Sequence, residues 1–213
     1  MKTARVGFGA CFARSKAFVV VSGGFSDGFK ATNKTEVYDV QADAWKDAKA
    51  LTVCRTAHSM CELGAGAYIY AFGGQDASSK TIDSIERTEI TGGASLESAM
   101  GDWQLLGDIK LRAALCNIGC FPVSRNEVLL FGGIDSQARE VKQGVVLLSL
   151  NGTHSFLENG VDLLVPDLFS NSTQVHVDEV SKKVLVQGKH AIHKLDLSNA
   201  LKRQFSIAFE HEQ

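Results

Sequence analysis

Phe18-Val19-Val20-Val21-Ser22-Gly23-Gly24 is an apolar run that ends in a glycine pair, and the same arrangement returns at Tyr68-Ile69-Tyr70-Ala71-Phe72-Gly73-Gly74 and at Val128-Leu129-Leu130-Phe131-Gly132-Gly133. The glycine pairs are 50 and 59 residues apart, and a worn fourth copy, Val184-Leu185-Val186-Gln187-Gly188, follows after 55 more. Self-similarity at such a period marks a repeat architecture, in which each unit buries its core against its neighbours. Each run is apolar at consecutive positions instead of alternating, which is the pattern of a strand covered on both faces. Glycines at its end let the chain turn through positive φ and let the neighbouring unit approach the backbone closely. Trp45 and Trp103 are the expected fillers of that approach.

More than glycine repeats. Arg5 and Arg55 each stand 18 residues before the glycine pair of their unit. In the first unit Val37-Tyr38-Asp39-Val40 leads to Trp45, with six residues between Tyr38 and the tryptophan. In the second, Ile82 to Ile90 is the corresponding strand, and Trp103 comes late because Thr91 to Asp102 is inserted. Arg112 opens the third unit, Val145 to Leu150 is its third strand, and Phe156 takes the tryptophan place. The fourth keeps Lys194-Leu195-Asp196-Leu197 and Phe205, without the arginine and with one glycine of the pair.

This set of residues, R-(x)17-GG followed by VYD and Y-(x)6-W, resembles the kelch repeat, the four-stranded blade of a β-propeller. The likeness is closest in the first unit and weakest in the fourth. It implies an all-β chain of about four blades, each of four antiparallel strands, over residues 4–50, 51–109, 110–165 and 166–213. Four blades form either a small closed ring or an open arc of a larger one. An open arc would expose apolar blade faces to another chain or to further blades.

Composition agrees with one domain of β class. The 213 residues include 20 Gly and 2 Pro, 45% are hydrophobic, and the formal charge is −2, enough apolar residues to bury a core. A charge near zero without a basic stripe argues against nucleic acid as a partner, and no apolar run approaches the length of a membrane-spanning helix. Cys11 and Cys61 each lie six residues after their arginines, and Cys54, Cys116 and Cys120 complete an odd count. Without a secretory leader, the expectation is reduced thiols in an intracellular, cytoplasmic and even cytoskeleton-associated protein. The sequons at Asn33, Asn151 and Asn171 then read as turn chemistry.

No metal or cofactor site is expected. Cys116-(x)3-Cys120 lacks the second pair a zinc site needs, and His190 and His193 fall on opposite faces of an extended strand. In a four-stranded meander, the segments entering the first strands and the loops after the second strands share one end. That end should carry Arg5, Arg55 and Arg112, with His58 near the axis and Phe25, Asp27, Gln75, Asp76 and Asp135 in the surrounding loops. The kelch resemblance implies a non-catalytic interaction module that binds a protein or peptide there, and guanidinium forks would favour an acidic segment. A structural role for the arginines, bonding carbonyls or an acidic residue of the adjacent blade, stands beside that reading. Two rivals remain: a kelch-type enzyme acting on a sugar acid in the axial pocket, and an architectural subunit that associates through its blade edges. The inserted segment reads as a flexible loop.

Overall fold

The computed structural model describes residues 1–14, 17–91, 95–141, 143–150, 153–156, 161–162, 174–178, 183–187, 192–196 and 210–211. They form four larger antiparallel sheets, one per repeat, and two small two-stranded ones, built almost without helix. Unit one comprises Gly9–Ala13, Phe18–Ser22, Thr35–Asp39 and Ala44–Ala48, paired in that order. Unit two comprises Ser59–Leu63, Tyr68–Phe72, Ser84–Glu89 and Gln104–Lys110. Gly119–Ser124, Glu127–Phe131, Gln143–Leu150 and Thr153–Phe156 make unit three, with Val161–Asp162 added to its third strand. Gln174–Asp178, Lys183–Gln187, Ile192–Asp196 and Glu210–His211 make unit four. Sheets of this kind are consistent with a β-propeller, and no closed ring is detected among the described residues. Phe156 pairs with Leu147 as Trp45 pairs with Tyr38, so it does hold the tryptophan place. Leu197, Phe205, Gly188 and His190, and the sequons at Asn151 and Asn171, lie outside the described residues.

The second strand of unit two shows why its run is apolar throughout. Ile69 and Ala71 face unit one, joining Ala13, Phe18, Val20, Val37 and Met60. Tyr70 and Phe72 face unit three, joining Cys61, Ile118, Val128 and Leu130. Ile69, Tyr70, Ala71 and Phe72 therefore leave water on one seam or the other, and burial of this kind stabilises by roughly 1.5–3 kcal/mol per large side chain.

Backbone bonds tie the units at the glycine pairs. Gly24 N donates to Arg55 O at 2.7 Å and Gly74 N to Leu115 O at 2.8 Å. Nearer the starts of the inner strands, Ala57 N donates to Gly7 O at 2.7 Å and Asn117 N to Ala57 O at 2.8 Å. Gly23 has φ +62, and a Cβ there would lie 2.2 Å from Arg55 O; Gly73 has φ +58, and a Cβ there would lie 2.4 Å from Leu115 O. What comes up to these glycines is the neighbouring backbone with His58 or Ile118, not a tryptophan. Trp103 instead fills the unit one to unit two seam with Leu51 and Leu96, and its Nε1 donates to Lys49 O at 3.0 Å. Trp45 stacks obliquely on Tyr38, ring centroids 5.1 Å apart.

The insertion is not a loose loop where it is described. Leu96–Ala99 is a single helical turn, and Leu96, Ala99 and Met100 are buried against unit one and unit two. Lys46 Nζ meets Glu97 at 2.7 Å, which ties the turn to the outer strand of unit one.

Candidate functional site

The backbone brings the three loops that follow the glycine pairs to the end where the inner strands begin. Val6 and Phe25 exchange N–H···O bonds of 2.9 and 2.8 Å, and Thr56 and Gln75 exchange bonds of 2.9 and 2.8 Å. Leu115 and Cys116 pair with Asp135 and Ile134 in the third unit. Asp76 Oδ1 accepts from Ser78 N at 2.8 Å and Lys80 N at 3.1 Å, and Asp135 Oδ1 accepts from Gln137 N at 2.8 Å and Arg139 N at 2.9 Å. These aspartates therefore shape their loops, as short acceptors at turn starts do. The N–H of Arg139 and its side chain beside Asp135 hold that carboxyl below the usual carboxylate range. Asp27 opens a short turn in the first loop and is exposed; Phe25 and Gln75 are half-buried. Phe29, which the sequence reading passed over, follows Gly28 at φ +55 and is 82% exposed.

The arginines sit differently. Arg55 is fully buried. Its Nε meets Glu86 Oε1 at 2.7 Å, its Nη1 donates to Gly73 O at 2.7 Å and Ser84 O at 2.9 Å, and its Nη2 donates to Ser84 Oγ at 2.9 Å. Glu86 Oε2 in turn accepts from Thr52 N at 2.7 Å and Thr52 Oγ1 at 2.6 Å. Arg5 repeats the device, with Glu36 Oε1 at 2.5 Å, Lys34 O at 2.8 Å and Gly23 O at 3.0 Å. Burial pushes the Glu36 carboxyl up, but the N–H groups of Lys2 and Thr3 and the Arg5 guanidinium outweigh it and leave the group below its ordinary value. The acid belongs to the third strand of the arginine's own unit, not to the adjacent one, and the pair fixes where the chain enters that unit.

Arg112 is not the third member of this set. Asn117, at φ +53, matches Ala57 at φ +51 and Gly7 at φ +65, and Leu115 O takes the bond from Gly74 that Arg55 O takes from Gly24. Leu115 therefore holds the arginine register, and Arg112 is exposed in the segment before it. Val145 pairs with Leu130 as Glu86 pairs with Ala71, so unit three has lost the acid together with the base.

His58 lies buried in the seam between units one and two, packed on Gly9 and Gly23, so it does not line an open channel. Its Nε2 is 3.0 Å from Ser22 Oγ, and its Nδ1 has no hydrogen-bond partner among the described residues. Burial, and then the Arg55 charge, lower its pKa from 6.5 to about 3. At the outer side of the next seam, Tyr70 Oη is 3.2 Å from His154 Nε2, and His154 Nδ1 is 3.0 Å from Asp108 Oδ2.

No protein-family model matches the chain. Over 89 residues, 41% of the chain, it is 33% identical to Kelch-like protein 36 of Bos taurus, and at the same identity over the same span to that of Rattus norvegicus and of Mus musculus. The chain covers 14% of the length of these relatives. The likeness supports a kelch-type relationship at most, over less than half of the sequence.

Proposed function

We propose that this protein is a non-catalytic interaction module of kelch type that binds a protein or peptide through the three loops after the glycine pairs. The supporting observation is their shared presentation: each loop is braced from beneath by a backbone bridge to an inner-strand entry, and each offers exposed residues beyond that brace, 27–30, 77–80 and 136–140. Rigid bases with exposed tips are where repeat folds place recognition. Contact falls to Asp27, Phe29, Lys30, Lys80 and Arg139. Phe29 is the natural anchor, since a large exposed aromatic ring contributes most when a partner buries it.

The preference for an acidic partner began with the arginines. The Arg5 and Arg55 guanidinium groups are taken up inside their units, so acidic selectivity would fall to Lys30 and Lys80, which stand among Asp27, Asp76 and Asp135. The reading includes a reducing, cytoplasmic setting, for which the odd count of five cysteines is the argument.

The test is affinity capture with the full chain, followed by direct binding to the captured protein. Phe29→Ala combined with Lys80→Ala should weaken binding about tenfold or more, while Lys46→Ala, on an outer strand, should leave it unchanged. Equal binding by all three proteins would exclude the loops as the recognition surface.

A further inference from the structure

The inner strands of units one, two and three each carry a cysteine, and two of these meet across a seam. Ala57 O accepts from Asn117 N at 2.8 Å, Ser59 Oγ donates to Ile118 O, and Gly64 N donates to Arg125 O at 2.7 Å. Bonds near both ends thus hold Ser59–Leu63 beside Gly119–Ser124 in a fixed register. Cys61, opposite Tyr70 in its own sheet, is buried among Ile118, Val128 and Leu130 of unit three. Cys120, opposite Leu130, packs into the same cluster from the other unit. The two thiols lie within hydrogen-bond reach of one another.

The seam between units one and two supplies a comparison. Cys11 and Cys61 are each third in their strand, and Met60 and Cys120 are each second. Cys11 and Met60 pack into the cluster of the first seam as Cys61 and Cys120 do in the second. A thiol and a thioether cannot join; in the second seam the thioether is replaced by a thiol, and the pair can. Exposure divides the roles within that pair. Cys61 is fully buried, which pushes its thiol up, whereas Cys120 is half-buried, so a small oxidant reaches Cys120 first. Redox-sensing cysteines have this arrangement, an accessible thiol with a resolving one beside it.

We propose that Cys120 and Cys61 form a reversible oxidation site, where a peroxide converts the pair to a disulfide that staples unit two to unit three. Hydrogen peroxide transfers one oxygen to the Cys120 sulfur, giving a sulfenic acid and one water. The Cys61 sulfur then attacks the Cys120 sulfur: the S–S bond forms, the S–O bond breaks, and the departing hydroxyl leaves as water with the Cys61 proton. In sum two thiols lose two electrons and two protons, and the peroxide is reduced to two waters. A dithiol reverses the step by exchange, as suits the transient disulfides of a reducing compartment. Cys11 faces Met60, and burial holds its thiol up as well, so it stays a thiol. The staple joins inner strands and uses no residue of the loops after the glycine pairs, so it does not depend on the loop-binding reading.

The experiment treats the reduced full chain with stepped doses of hydrogen peroxide, blocks the remaining thiols with N-ethylmaleimide and maps the peptides by mass spectrometry. A peptide linked through Cys61 and Cys120 should form at doses that leave Cys11, Cys54 and Cys116 free to be blocked, and dithiothreitol should remove it. The oxidised chain should melt about 5 °C or more above the reduced one, and Cys120→Ser should lose both the product and the shift. Dimedone, which traps sulfenic acids, reads the order of steps: it should label Cys120 in Cys61→Ala and leave Cys61 unlabelled in Cys120→Ala. Mapping of the wild type needs no variant, so a variant that fails to fold leaves the test intact. Cys120 driven to sulfinic acid without a crosslink, a disulfide to Cys11 instead, an oxidised chain that melts no higher, or no loss of thiol until the chain unfolds would each overturn the proposal.

Discussion

Arg55 and Glu86 are a buried ion pair with every oxygen and nearly every donor satisfied, and such pairs are costly to break singly because the survivor is left charged in the interior. Arg55→Ala or Glu86→Val alone should destabilise the protein by about 3–5 kcal/mol in urea unfolding. Unit three shows that the device is dispensable when both halves go, since Leu115 and Val145 occupy the two registers. Arg55→Leu with Glu86→Val should therefore lose less than the sum of the single changes, with a coupling of about 2–3 kcal/mol; strict additivity would mean that the pair does not act as a unit. His58 gives a pH prediction. Its folded pKa of about 3 lies below its ordinary 6.5, so between those values the unfolded chain takes up a proton that the native seam refuses. Its contribution is fully present above pH 6.5 and declines as pH falls toward 3, by up to about 4 kcal/mol. His58→Phe, which copies Phe8 of unit one, should flatten that part of the stability profile; an unchanged slope would place the titration elsewhere. The sequence showed the arginines and left two uses open, partner contact or bonds to carbonyls and an acid; the bonds of Arg5 and Arg55 to Gly23 O and Gly73 O are of the second kind, with the acid in their own unit. Glu36 and Glu86 each lie 31 residues after their arginine, a spacing as regular as the glycine pairs, yet a carboxylate on a strand reads as a surface residue until its partner is in view. Arg112 misled because a one-residue shortening of the first hairpin of unit three moved the register, and an unrelated arginine stood nearby.

At the scale of elements, the second strands and the glycine pairs were legible because two physical demands coincide on them: cover on both faces, and a turn that only glycine makes beside a neighbour's carbonyl. The inserted segment was legible only in length. Its Gly, Ala and Ser content suggests freedom, but Leu96, Met100 and Trp103 are spaced so that one short turn drops all three into the seam between units one and two. Composition averages over the residues that decide such a case. The turn therefore acts as a clamp across the rim of the seam, with Glu97 reaching Lys46 on one unit and Trp103 Nε1 reaching Lys49 O beyond it. Leu96→Ala should cost about 2–4 kcal/mol, the ordinary range for a fully buried leucine. Lys46→Ala, which removes only a partly exposed ion pair, should cost about 0.5 kcal/mol. Thermal unfolding of the two variants separates the accounts, because a loop with no packing role would show a small change for both.

In the whole molecule the local contacts form a chain of nearest neighbours, so stability should vary from unit to unit. Unit two is sandwiched between two apolar seams and carries its own buried ion pair. Unit one has a like pair, Arg5 with Glu36, and among the described residues one sealed seam, against unit two. In a repeat array, opening a unit held at one seam breaks one interface, whereas opening a unit held at two breaks both, and native-state exchange reads that difference directly. Amides of Ile69–Phe72 should therefore exchange only through the largest opening of the protein, and those of Val19–Ser22 through a smaller one, by about 1–2 kcal/mol. The comparison is internal to one sample, so it does not depend on knowing the total stability. Faster exchange in unit two than in unit one would show that sealed seams do not control stability in this fold, and the nearest-neighbour account would fail with them.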